Sequence, residues 1–154
     1  MQENYLISIL GKQIVEGEKG EISLTTFGSY TTRGDKRYIV YNEYDEETPG
    51  VKTTSVLKIE DNKKITLIRN GEQHSRLILE KGKRHLCHYD TGYGSMMVGV
   101  FANKLVSDLN EHGGDLEVHY SLDINAGLSS LNEIFINVKE AEPSHVKHCS
   151  ADDQ

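Results

Sequence analysis

From Asp115 to Ile124 polar and apolar residues alternate without a break. Leu116, Val118, Tyr120, Leu122 and Ile124 fall on one side, and Asp115, Glu117, His119, Ser121 and Asp123 on the other. Successive side chains of a strand point to opposite faces, so this is the pattern of a half-buried strand. Ile65, Leu67 and Arg69 alternate with Lys64, Thr66 and Ile68. Leu86, His88 and Asp90 alternate with Cys87, Tyr89 and Thr91, and Leu57 and Ile59 with Val56 and Lys58. Between such runs lie Asp61-Asn62, Asn70-Gly71, Lys81-Gly82, Gly92-Tyr93-Gly94, His112-Gly113-Gly114 and Asn125-Ala126-Gly127. Gly and Asn tolerate the positive φ values of tight hairpins, so these read as turns. The spacing predicts about ten strands, near 4–14, 20–32, 36–45, 52–60, 64–69, 73–80, 84–91, 94–108, 115–124 and 130–140. No segment has the period of an amphipathic helix. Val106–Glu111 offers at most one helical turn before Gly113-Gly114 stops it.

A meander of this many strands leaves two unpaired edges unless it closes on itself, and closure removes both at once. With prolines only at 49 and 143, most strands can pair along both edges. The expected fold is therefore all-β, a closed or nearly closed antiparallel up-and-down barrel of about 8–10 strands. It forms one domain over residues 1–141, and the polar stretch 142–154 follows as a frayed tail. A chain of 154 residues is one domain by length. It can hide about two thirds of its unfolded surface without a staple.

The net charge is −7 and the pI near 5.5, which repels phosphate backbones and anionic lipid. Neither nucleic acid nor membrane is an expected partner. The most apolar run, Leu6–Leu10, is too short to span a bilayer as a helix. Met1–Tyr5 carries no Lys or Arg, unlike the start of a signal peptide, so the expected location is the cytoplasm. In that compartment Cys87 and Cys149 are expected as free thiols.

Candidate chemistry is sparse. Glu43, Asp45, Glu46 and Glu47 form an acidic run, with Glu43 and Asp45 on one strand face. The run leads into Thr48-Pro49-Gly50 and reads as a solvated hairpin end. His85 and His88 project to opposite faces, a poor spacing for a shared metal, and His85 with Cys87 supplies only two ligands. In the tail, His145, His148 and Cys149 read as adventitious binders of soft metals, so no metal site is assigned. Gly92-Tyr93-Gly94 lacks the third glycine and helix of a dinucleotide fingerprint. No phosphate loop and no nucleophile elbow is present. No cofactor and no catalytic residue is therefore nominated, and an enzyme is the weakest of the function classes. Lys81–His85 is a basic hairpin tip.

Tyrosine is the dominant aromatic, eight against three Phe and no Trp. Tyr41, Tyr89 and Tyr120 fall within strands, where a ring can pack and its hydroxyl can meet a ligand. Arg69 shares a face with Ile65 and Leu67. If that face is internal, the guanidinium sits at the barrel mouth and needs a carboxylate or a ligand anion, with Glu43 as the candidate partner. Otherwise it lies past the strand end in water.

Tyr41-Asn42-Glu43, Thr53-Thr54 with Leu57-Lys58-Ile59, Arg69-Asn70-Gly71 and Gly82-Lys83 resemble the YwiB-like family of uncharacterised bacterial proteins. The likeness continues through Tyr89-Asp90-Thr91 with Tyr93-Gly94, Gly113-Gly114-Asp115-Leu116, Tyr120 with Leu122, and Leu131-Asn132 leading into Ile134 and Ile136. It spans residues 4 to 140 or so. The resemblance implies a calycin-like barrel related to lipocalins and no established activity. Two departures stand out: Thr26-Phe27-Gly28 replaces a Thr-Glu-Gly pattern, and the lipocalin-type tryptophan is absent.

The leading expectation is a barrel that binds a small amphipathic or anionic ligand through Tyr41, Glu43, Arg69, Tyr89 and Tyr120. The alternative is a structural or protein-interaction domain with a side-chain-filled barrel. Met96, Val98 and Val100 oppose Met97 and Phe101, so that strand is apolar on both faces, which suits a homodimer.

Overall fold

The computed structural model describes residues 3–72, 74–90, 94–125 and 127–141. They form ten strands: β1 (Tyr5–Val15), β2 (Glu18–Arg33), β3 (Lys36–Tyr44), β4 (Lys52–Glu60), β5 (Lys64–Asn70), β6 (His74–Glu80), β7 (Arg84–Asp90), β8 (Ser95–Asn110), β9 (Gly113–Ile124) and β10 (Gly127–Glu140). Each strand pairs antiparallel with its sequence neighbours, and β1 pairs with β10 to close the barrel. The expected tail and the His145, His148 and Cys149 group lie outside the described residues. Among the described residues no helix is long and apolar enough to cross a membrane.

Two local expectations are corrected. Val106–Asn110 is not a helical turn but the end of β8, laddered to β9 as far as Asn110 opposite Gly113. Gly113 and Gly114 are not the turn itself but the first residues of β9, at φ of 123° and 132°. A Cβ on either would strike the backbone of Val138 or Asp108, so glycine lets three strands approach here.

Inward residues are apolar through most of the barrel. Ile7, Ile39, Ile59, Ile65, Leu79, Leu105, Leu116 and Val100 are fully buried, each contributing about 1.5–3 kcal/mol of hydrophobic stabilisation. Call the end that holds the chain start and the β2–β3, β4–β5, β6–β7 and β8–β9 turns the lower end. Tyr30 donates its hydroxyl across it to the Asn110 carbonyl at 2.6 Å, and Tyr5 packs edge-on against Tyr30 at 5.4 Å between ring centroids. The neighbouring turns complete the seal. Gly82 N–H donates to the Ala102 carbonyl and Ser107 N–H to Asn62 Oδ1.

The ladder is weakest between β6 and β7. Among the described residues one pair, Ser75 opposite Tyr89, is in register there, with a bridge of Glu80 to Lys83 at the turn, whereas β5–β6 and β7–β8 each hold seven. Within this seam the Ile78 N–H donates to the buried thiol of Cys87 at 3.4 Å rather than to a carbonyl. Sulfur is a weak acceptor. Hydrogen exchange followed by mass spectrometry should therefore show β6 and β7 amides opening before those of β9 and β10; uniform protection around the ring would contradict the seam.

Gly28 is a second point of close approach. A Cβ there would strike the Val40 carbonyl and lie 2.5 Å from Ile7 Cδ1, so Gly28→Ala should cost about 1–3 kcal/mol. A Cβ on Gly20 meets nothing within 4 Å, and Gly20→Ala should change stability by under about 1 kcal/mol. Urea midpoints of the two variants decide it, and equal midpoints would refute the packing argument.

Candidate functional site

The register carries one inward row diagonally through eight strands. It runs Tyr5, Gly28, Tyr41, Ser55, Arg69, Ser75, Tyr89 and Met96, each opposite the next on adjoining strands. Closing a barrel tilts its strands, so such a row climbs from one end to the other. It starts at the sealed lower end and emerges at the upper end, where the β1–β2, β3–β4, β5–β6, β7–β8 and β9–β10 turns lie. Tyr120 reaches the same region from the opposite wall, in a row that joins Ala102, Tyr120, Asn132 and Gln13.

Arg69 lies on the inward face at the upper mouth. Its Nη2 is 3.3 Å from Glu43 Oε1, and both side chains stay partly exposed, at 44% and 38%. Tyr41 and Tyr120 are buried beneath them, while Tyr89 is 37% exposed at the rim. The five nominated residues thus share one end of the barrel, Tyr41 and Tyr120 below and Glu43, Arg69 and Tyr89 above. At this end opens a cleft of about 310 Å³, lined by Glu43, Tyr44, Asp45, Val51, Thr53, Arg69, Glu72, His74, Ser75, Tyr89 and Asp90; Tyr120 instead lines a separate cleft of about 500 Å³ with Gln13 and Asn132. Asp45 does not share the strand face of Glu43 as expected. It lies past the end of β3, where its Oδ1 accepts the Glu47 N–H at 2.9 Å and shapes the turn.

Buried polar groups gather at this end. Asn132 donates to Ser130 Oγ at 3.0 Å, and both are buried. Burial pushes the Tyr41 phenol up from 10.0, and the Ser55 hydroxyl opposite draws it part of the way back. The two do not meet in hydrogen-bond geometry, and Ser55 Oγ is left buried without a partner among the described residues. Burial, aided by Tyr89 and opposed by Arg69, pushes Tyr120 up to about 12. A phenol held neutral in this way can donate a hydrogen bond but cannot serve as a base near neutral pH. Among the described residues no three His, Cys, Asp or Glu side chains converge to hold a metal ion.

A family model described as a domain of unknown function, DUF1934, matches residues 7–136. The chain belongs to the DUF1934 family. A relative described as an uncharacterized beta-barrel protein, YwiB of Bacillus subtilis (strain 168), is 22% identical over 138 residues, covering 88% of this chain and 94% of that protein. The crystal structure of the ywiB protein from Bacillus subtilis matches with a TM-score of 0.77 at 17% identity, covering 90% of this chain and 92% of that one. The structural likeness carries the closed barrel.

Sequence reasoning on this DUF1934 chain missed Ser55, Ser75, Asn132 and the carboxylates of Glu72 and Asp90. Ser55 carried a signal, since it shares inward parity with Leu57 and Ile59. The others needed the register between strands.

The raised Tyr120 pKa makes a test in alkali. A phenol whose folded pKa exceeds its unfolded value of 10.0 contributes stability that is whole below pH 10. That stability is lost as pH rises through about 12, and the loss is about 3 kcal/mol for this group. Urea midpoints between pH 9 and 11.5 should fall more steeply for the native chain than for Tyr120→Phe. Parallel slopes would show that the Tyr120 hydroxyl ionises normally.

Proposed function

We propose that this protein is a non-catalytic, cytoplasmic binding module that holds a small organic cation at its upper mouth. The calycin resemblance suggests ligand binding as a class. The expectation of a small amphipathic or anionic ligand rested on the polar and aromatic set Tyr41, Glu43, Arg69, Tyr89 and Tyr120, and the charge balance around Arg69 favours the opposite sign. The cleft sets four carboxylates, Glu43, Asp45, Glu72 and Asp90, against one guanidinium and one imidazole. Arg69 is already paired with Glu43. Tyr44 and Tyr89 add two exposed rings at the rim, whose faces attract an ammonium group. The observation that carries the reading is this meeting of carboxylates and aromatic faces in one cleft. At about 310 Å³ it sits at the low end of ligand-pocket sizes, so the ligand is small. The buried Cys87 thiol is consistent with a reducing compartment.

Calorimetric titration with putrescine and with choline, against inorganic phosphate at matched ionic strength, tests this. An ammonium probe should bind, and Glu43→Gln and Glu72→Gln should each weaken it about two- to fivefold. Arg69→Met removes a like charge and should tighten the cation. Phosphate binding that disappears in Arg69→Met would restore the anion reading, and no binding of any probe would refute a ligand at the mouth.

A further inference from the structure

The outside of a barrel in water is expected to be polar, yet one outer row sets three apolar residues beside two polar ones. Across β8, β9, β10, β1 and β2 it reads Val106, Glu117, Phe135, Leu10 and Ser23. Val106 is 46% exposed, and a cleft of about 610 Å³ lies along this row and the next. The next row begins with Asp108 directly opposite Asp115. Like charges in that relation destabilise a sheet. Asp115 accepts only the Asn137 amide at 2.9 Å, and neither carboxylate has a cationic partner among the described residues. The floor of this cleft has Glu117 paired with Lys104 at 3.1 Å and Lys12 Nζ 5.8 Å from the Phe135 ring, and its apolar positions beside Asp108 and Asp115 are complementary to an apolar face edged with cations. Five strands about 4.8 Å apart span roughly 19 Å, the length of a helix of about 13 residues.

We propose that this outer face docks an amphipathic helix of another protein. Its apolar side chains would lie on Val106, Phe135 and Leu10, and a Lys or Arg would stand between Asp108 and Asp115. A second copy of this chain is a poor occupant, because the chain carries −7 and face-to-face packing would set Asp108, Asp115 and Glu117 against their own equivalents. The groove lies on the outer face and is independent of the mouth.

The test is a titration of the isotope-labelled full chain with a leucine–lysine amphipathic peptide of about fourteen residues and with its leucine–glutamate counterpart, read by amide chemical shifts. The lysine peptide should move amides around Val106, Asp115 and Phe135, and the glutamate peptide should move none. Asp108→Asn with Asp115→Asn should weaken the lysine peptide about fivefold, and Val106→Ser should weaken it without changing the fold. Shifts confined to the mouth around Glu43 and Glu72, or undiminished affinity in the double Asn variant, would overturn the proposal. So would a mass that doubles without peptide and reverts in Val106→Ser, since that gives the face to a second copy.

Discussion

Everything in this molecule depends on the pairing of its first strand with its last. β1 and β10 run in register from Tyr5 opposite Glu140 to Ile14 opposite Leu131. Without that ladder the sheet would end in two long, unpaired edges. With it, each strand has two neighbours and the interior becomes a closed space whose contents must pack. Glycine marks where the closure is tightest: Gly28 lies against Ile7 and the Val40 backbone, and Gly113 and Gly114 lie between β8 and β10. The seam between β6 and β7 is the counterpart, where one register pair and a thiol acceptor replace a full ladder.

Closure also separates the two ends chemically. Because the inward row climbs as it crosses the strands, its members are spread from the lower end to the upper. Tyr5 lies at the sealed end against Tyr30, whereas Arg69 and Tyr89 emerge at the mouth. The lower half fills with aliphatic side chains and a Tyr30 hydroxyl bonded to backbone. At the upper end Ser130, Asn132, Tyr41 and Tyr120 are buried below a wet, charged rim. A group as costly to bury as a guanidinium is tolerable only where it keeps water, and Arg69 does so beside Glu43.

The strands were legible because a period of two is a local signal. The alternation from Asp115 to Ile124 matches β9, and turn residues marked most of the hairpins. Less legible was where a glycine pair belongs. Gly113-Gly114 has the composition of a turn, but interstrand distance, not local chain reversal, is what it serves. The three tyrosines were nominated for lying within strands, Arg69 for sharing a face with Ile65 and Leu67, and Glu43 as its candidate partner, and Arg69 and Glu43 do pair. Their company was not legible. That Ser55 stands between Tyr41 and Arg69, or that Glu72 and Asp90 join Glu43 around one cleft, follows from the shear of the closed sheet, which no single strand encodes.

That same company decides what the mouth can hold. Arg69 read alone is an anion site, since a lone guanidinium near an apolar lumen calls for a counter-ion. The fold supplies the counter-ion from its own chain, Glu43, across β4. It then brings further carboxylates in from the β3–β4, β5–β6 and β7–β8 corners. The sign of a site is the sum over every element that converges on it, and here the convergent corners outweigh the residue that first drew attention. Beneath the rim, Tyr41 and Tyr120 pack onto the aliphatic core, and Tyr120 also lines a second cleft of about 500 Å³ with Gln13 and Asn132. On the proposed reading, a ligand would meet this rim chemistry first, and its sign would follow from the whole set of converging groups.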